Sequence, residues 1–113
     1  MEMPDRDSRI SPYNNRMQLN DKQKKHLRSI AHDLKPIIQV GNAGVSNGLT
    51  NELNQTLEHH ELVKVKLRVG DREARNLIIA QLIEQTRSCL VNRIGNTAVL
   101  YRRRNKNPGI ELP

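Results

Sequence analysis

The sequence has no Trp, no Phe and only two Tyr in 113 residues. Its core must therefore be aliphatic, and serial aromatic stacking of the RRM or cold-shock kind is excluded as its main means of recognition. The single cysteine, Cys89, cannot form an intramolecular disulfide, which suits a reducing compartment, and in its apolar setting it reads as a small core residue. No apolar run has the length of a transmembrane helix, and the opening MEMPDRDSRISPYNNRM lacks the apolar centre of a signal peptide. A soluble, cytoplasmic protein is expected. Catalytic equipment is equally sparse. His26, His32, His59 and His60 have no Cys or carboxylate spacing typical of a zinc site, and no carboxylate pair or nucleophile with a partnered base is visible. His59 and His60 fit a helix end, where imidazolium suits the negative dipole, while Asp71 and Glu73 fit a helix start. No metal, no cofactor and no catalysis are expected.

What the chain has in excess is positive charge, a net +7 with mean hydropathy −0.73. Residues 1–18 are neutral overall and mix Pro, Asn, Asp, Arg and Ser as a flexible arm would. Residues 19–35 carry +3, 46–61 carry −3, 64–75 carry +3 and 102–106 carry +4. Basic blocks thus lie on both sides of an acidic helix, a pattern that favours a polyanionic partner. Nucleic acid is preferred to a membrane, because no amphipathic stretch has the bulky apolar face that insertion needs.

The scaffold reads as α-β-α-β-α-β-β. Asn20 followed three residues later by Gln23 resembles a capping box, and Leu27, Ile30, Ala31 and Leu34 then recur at the spacing of one buried helix face. Pro36 favours extended backbone before it, and Ile37–Val40 reads as a short buried strand. A second helix is expected from Ser46 to about His59, with Leu49, Leu53 and Leu57 inward. Alternation over Leu62–Val69 puts Val63, Val65, Leu67 and Val69 on one face and Lys64, Lys66 and Arg68 on the other. Gly70-Asp71 turns into a third helix whose stripe is Ala74, Leu77, Ile78 and Leu82, widened by Ile79 and Ile83. Strands at Cys89–Ile94 and Ala98–Arg102 close the chain around a Gly95-Asn96 hairpin turn. Helices between strands imply parallel neighbours, and the hairpin adds an antiparallel edge. The expected fold is an α/β two-layer sandwich: a mixed four-stranded sheet with helices mainly on one face.

With those elements placed, the succession LNDKQKKHLRSIAHDLKPIIQVGNAG, LEHHELVKVKL and IGNTAVLYR resembles the CRM domain, in particular its stand-alone bacterial form, the YhbY family. The resemblance spans residues 19–103. The domain is drawn at 19–104, between the arm and a tail at 105–113. What the resemblance implies is a fold similar to the C-terminal domain of bacterial translation initiation factor three, and association with precursors of the large ribosomal subunit; a monomer is expected.

The loop VGNAGVSNG, Val40 to Gly48, is where residue chemistry and resemblance meet. Glycines at 41 and 44 allow positive φ and close backbone approach, and a helix starting near Ser46 aims its unpaired N–H groups at whatever lies above the loop, a position that suits phosphate. KH domains clamp a nucleic-acid backbone with such a loop, and the resemblance implies a similar use of Gly41, Asn42, Ala43 and Gly44. Its middle residues here are neutral, where members of the family it resembles often carry a basic residue, which leaves the contact to backbone N–H groups, Asn42 and nearby Lys or Arg. The bland reading is a strand-to-helix turn and nothing more. The other candidate contacts are Lys22, Lys24, Lys25 and Arg28 on the first helix, then Lys35, then Lys64, Lys66 and Arg68 on the strand, and finally Arg102 and Arg103. Each block alone could be an ordinary solvated face. Tyr101 offers one stacking surface or a packed edge residue. The leading function is RNA binding in large-subunit assembly. Other readings are an RNA chaperone or translation factor on mature ribosomes, a small RNA-processing enzyme, and an adaptor using the acidic second helix.

Overall fold

The computed structural model describes residues 18–113, so the arm expected over residues 1–18 lies, but for its last residue, outside the described residues. Helix α1 (Asp21–Ala31) begins in a capping box: Gln23 N donates to Asn20 Oδ1 at 2.8 Å, and Asn20 N donates to Gln23 Oε1 at 3.1 Å. Leu27 and Ala31 are buried, but the helix ends at Ala31, which leaves Leu34 beyond it and 37% exposed. The remaining elements are β1 (Ile38–Val40), α2 (Asn47–His60), β2 (Leu62–Leu67), α3 (Arg72–Thr86), β3 (Cys89–Ile94) and β4 (Thr97–Tyr101).

The four strands form one mixed sheet in the order β1-β2-β4-β3, with β1 parallel to β2 and the other pairs antiparallel. Gly95 takes φ +57 at the first hairpin position while Asn96 has no positive φ, which is the requirement of a II′-type rather than a I′-type turn. The parallel β1–β2 pair needs a crossover, and α2 supplies it. Because β4 rather than β3 joins the hairpin to β2, Tyr101 sits in a central strand and is fully buried; it is not an edge residue. Burial pushes the Tyr101 phenol above its usual pKa, the charge of Glu61 adds to this, and Arg103 opposes it.

Alternation along the strands divides the core by face. Ile38, Val40, Val63, Val65, Leu67, Ala98 and Leu100 meet Leu53 and Leu57 of α2 and Ile78, Ile79 and Leu82 of α3. Across the sheet, Leu62, Val91, Val99 and Tyr101 meet Leu27 and Ala31 of α1. Two helices therefore share one face, and α1 covers part of the other. Besides Leu34, two apolar side chains that the periodicity placed inside are outside. Leu77 is 72% exposed, because α3 packs through Ile78, Ile79, Leu82 and Thr86, a stripe rotated off it. Ile37 is 52% exposed, because only Ile38 and Val40 of that segment face the core.

Residues 105–113 lie back against the sheet, with Ile110 and Leu112 packed on the α1 side. The residue that gathers them is Glu61, the C-cap of α2, buried to 1% exposure and held at φ 65 without being glycine. Its backbone N donates to Leu57 O at 2.7 Å and its carbonyl accepts from Arg102 N at 2.9 Å. Its carboxylate accepts from Arg104 N at 2.9 Å, Gly109 N at 2.7 Å and Ile110 N at 3.1 Å. A buried carboxylate is costly unless its oxygens are satisfied, and three backbone donors satisfy this one. The Glu61→Ala protein should lose about 3 kcal/mol of unfolding free energy in urea titration, since bonds to a charged acceptor contribute about 1.5–3 kcal/mol each and strain at φ 65 remains. A loss below about 1 kcal/mol would show that the tail is held by its apolar contacts instead.

Candidate nucleic-acid interface

The loop leaves β1 at Val40, whose carbonyl accepts from Arg68 N at 2.7 Å, and closes as a turn in which Gly44 N donates to Gly41 O at 3.0 Å. The two glycines are not equivalent. Gly44 has φ +79, which only glycine adopts without strain; Gly41 has no positive φ, and a Cβ there would meet nothing within 4 Å. Nothing in the turn itself therefore requires glycine at 41. Asn42 and Ala43 are exposed between them.

Ser46 caps α2 by accepting from Leu49 N at 3.1 Å through its hydroxyl. The first turn of α2 contains no acidic residue, whereas α1 has Asp21 and α3 has Glu73 in theirs. The positive end of the α2 dipole thus has no acidic side chain within its own first turn, directly after the loop.

Lys64, Lys66 and Arg68 project from the sheet face opposite α2 and α3. Lys64 Nζ donates to Leu34 O at 2.9 Å, and Arg68 Nε donates to Gln39 Oε1 at 2.8 Å. Since Arg68 is also the backbone partner of Val40, the cationic strand ends beside the glycine loop, and Lys35 stands exposed in the α1–β1 connection. On α1, Lys22, Lys25 and Arg28 are exposed and Lys24 is half-buried. These side chains flank the same sheet face as the cationic strand, because α1 packs there.

The arginine run splits three ways. Arg102, expected at the interface, turns inward: Nη1 donates to Asn54 Oδ1 at 2.7 Å and Thr86 O at 2.9 Å, Nη2 donates to Asn54 O at 3.0 Å, and Glu58 lies 3.6 Å away. Burial pushes its guanidinium below its ordinary pKa, while the Glu58 carboxylate opposes the shift. Arg102 clamps α2 to the end of α3, and its fork is not available to a ligand. Arg104 Nη1 donates to His59 O at 2.8 Å, putting a cation on the last carbonyls of α2. Arg103 alone stays outward, at the rim of a cavity of about 530 Å³ that also touches Gln23, Tyr101 and the tail residues Pro108 and Ile110.

The structure therefore sets Arg68 beside the loop, with Lys66 and then Lys64 further back along the same sheet face, keeps the α1 cations and Arg103 on the same side, and turns Arg102 inward. It adds Gln39, whose polar side chain interrupts the apolar segment 36–40 at the one strand position that faces outward. Strict alternation applied to that segment was the signal. Among the described residues no cluster of three or more His, Cys, Asp or Glu is placed to hold a metal ion, and no helix is long and apolar enough to cross a membrane.

A model of the CRS1 / YhbY (CRM) domain family matches residues 19–102. A Haemophilus influenzae protein named "RNA-binding protein" is 40% identical over 95 residues, which cover 84% of this chain and 95% of that one. A Bacillus subtilis protein named "Probable RNA-binding protein YqeI" is 44% identical over 95 residues, 84% of this chain and 99% of its own. The solution structure of a hypothetical protein from Staphylococcus aureus superposes with a TM-score of 0.74 at 40% identity, covering 85% of this chain and 100% of the other.

The different settings of the arginines and lysines separate stability from surface charge. Arg102→Ala should lower stability by about 2–4 kcal/mol, through loss of charge-assisted bonds to two helices. Lys25→Ala should stay within about 0.5 kcal/mol of the parent. Thermal melts of the two variants check this, and near-equal melting temperatures would contradict the clamp.

Proposed function

The chain belongs to the CRS1 / YhbY (CRM) domain family, and on that premise we propose that it is a non-catalytic RNA-binding protein of large-ribosomal-subunit assembly. It grips ribosomal RNA backbone with the Gly41–Gly44 loop and the cations beside it, and acts as a cytoplasmic monomer. The observation that carries this reading is the bond between Arg68 N and Val40 O, which sets the cationic strand against the glycine loop and the acid-free start of α2. A phosphate above the loop would meet backbone N–H groups, the positive end of a helix dipole and Lys or Arg side chains together. The names of the Haemophilus and Bacillus relatives support RNA as the ligand class. The large-subunit role rests on the CRM resemblance.

Crosslinking in cells followed by sequencing of the attached RNA tests that role. Reads should concentrate in precursor ribosomal RNA of the large subunit; reads in mature small-subunit RNA, or spread over messengers, would contradict it. The loop has its own test. Asn42→Asp with Ala43→Asp puts two carboxylates where the phosphate would sit, and repulsion at about 4 Å is of order 1 kcal/mol in water and up to about 4 near a protein surface. RNA affinity at matched salt should fall at least about fivefold, while the melting temperature stays or rises, because carboxylates favour a helix N-terminus. Unchanged affinity in the folded double variant would make the loop a turn only.

A further inference from the structure

Two buried polar side-chain atoms have no hydrogen-bond partner among the described residues, Arg75 Nε and Tyr101 Oη. They differ in consequence. Arg75 still places Nη1 on Val69 O at 2.8 Å and on Gly70 O at 3.0 Å, whereas the hydroxyl is the only polar group a tyrosine side chain has. Buried polar groups are nearly always paired, and one left alone is costly. Tyr101 is fully buried and lines the cavity of about 530 Å³ whose rim holds the exposed Arg103. Its phenol keeps its proton at neutral pH, since burial and the Glu61 charge raise its pKa against the opposing charge of Arg103. The inner end of the cavity is thus a donor in need of an acceptor.

The rest of the lining is held in place by the tail. Pro108, Ile110, Glu111 and Leu112 form it, all beyond residue 102, where the family match ends. Glu61 accepts from Gly109 N and Ile110 N, and Gln23 Nε2 of α1 donates to Pro113 O at 3.3 Å. A ligand there meets aliphatic side chains, one buried hydroxyl, one exposed guanidinium and one exposed carboxylate. A bare anion makes no use of the aliphatic wall and is repelled by Glu111, and a purely apolar molecule leaves the hydroxyl unpaired. A nucleotide suits the whole set. Its phosphate pairs with Arg103, its sugar hydroxyls donate to a carboxylate such as Glu111, and its base lays a broad face on Pro108, Ile110 and Leu112. Every base also presents acceptors to a phenol, so no base is preferred. Tyr101 pairs with Leu62 at the start of β2, while Arg68 and the glycine loop lie past its end, so about 20 Å of strand separates the cavity from the loop.

We propose that the cavity between α1 and the tail takes one unpaired nucleotide of the RNA, with Tyr101 Oη donating to its base, Arg103 on its phosphate and Glu111 on its sugar. The proposal rests on the RNA-binding reading above and adds a second contact, distant from the loop. Fluorescence anisotropy at one fixed salt concentration tests it. The probes are a blunt RNA hairpin and the same hairpin with a single-stranded extension at its 3′ or its 5′ end, long enough to span from the loop to the cavity. Tyr101→Phe removes one oxygen and no charge, so general attraction to the added phosphates is equal in variant and parent. The parent should bind the better of the two extended hairpins at least about threefold more tightly than Tyr101→Phe does, within the range of one net hydrogen bond, and both proteins should bind the blunt hairpin alike. The melting temperature of Tyr101→Phe should stay or rise, because the change sheds an unpaired polar atom and breaks no bond. Arg103→Gln should weaken the extended hairpins more than the blunt one. Equal binding of the extended hairpins by parent and Tyr101→Phe would overturn the proposal and leave the RNA-binding reading standing. A lower melting temperature would overturn it too, by revealing an internal partner for the hydroxyl. So would free uridine or adenosine monophosphate moving the Arg103 and Ile110 amide signals in the absence of any gain from an extension, which would make a free nucleotide the ligand; failure to bind any hairpin would overturn both readings.

Discussion

One carboxylate sets the frame on which everything else is hung. Glu61 stands where α2 must stop and β2 must begin, with a backbone conformation that a side chain adopts only under strain. Its carbonyl joins the end of β4 and its carboxylate collects three N–H groups from the chain that follows. This single residue thereby fixes the C-terminal end of α2, the start of β2 and the return of the tail. The end proposed to meet RNA is the other end of the same two elements: the N-terminus of α2 and the last residues of β2. A helix of 14 residues is stiff, so fixing its C-terminus fixes where its N-terminus points.

The same economy appears in the arginine run at 102–104. Successive side chains leave an extended segment in opposite directions, so adjacent residues of identical chemistry meet different surroundings. Arg102 enters a polar niche between two helix ends, Arg104 sits on the terminal carbonyls of α2, and Arg103 faces outward. Positive charge in this protein thus has two uses. Where it is buried against carbonyls it holds helices together, and where it is exposed beside the glycine loop it supplies the field through which RNA backbone is proposed to bind.

Local and periodic features were legible in the sequence, and those set by the register between elements were not. The Asn20–Gln23 box, the Ser46 and Asp71 caps and the inward set Val63, Val65 and Leu67 depend on spacings of four residues or fewer, and all are present. The expected element order and the mixed four-stranded sheet are present too. Leu77 and Ile37 were misplaced because a stripe has a width that only its packing partner defines, and the partner here lies to one side. The inward turn of Arg102 was not legible because its partners Asn54, Glu58 and Thr86 are 16 to 48 residues away along the chain. No local signal marks a charged side chain as internal when its acceptors are backbone carbonyls. Glu61 was hidden for the same reason: its donors are backbone groups, which every residue has.

The central claim is spatial, namely that RNA is gripped where the glycine loop, the start of α2 and the end of β2 converge. It is tested most directly by recording amide NMR spectra of the isotope-labelled protein during titration with an RNA hairpin at low salt. The account predicts that the largest shifts fall on Gly41, Asn42, Ala43 and Gly44, on Asn47 and Gly48, and on Lys66 and Arg68, with the outer side of α3 around Glu73 and Leu77 unmoved. Shifts concentrated on α3, or confined to α1 with the loop silent, would contradict it.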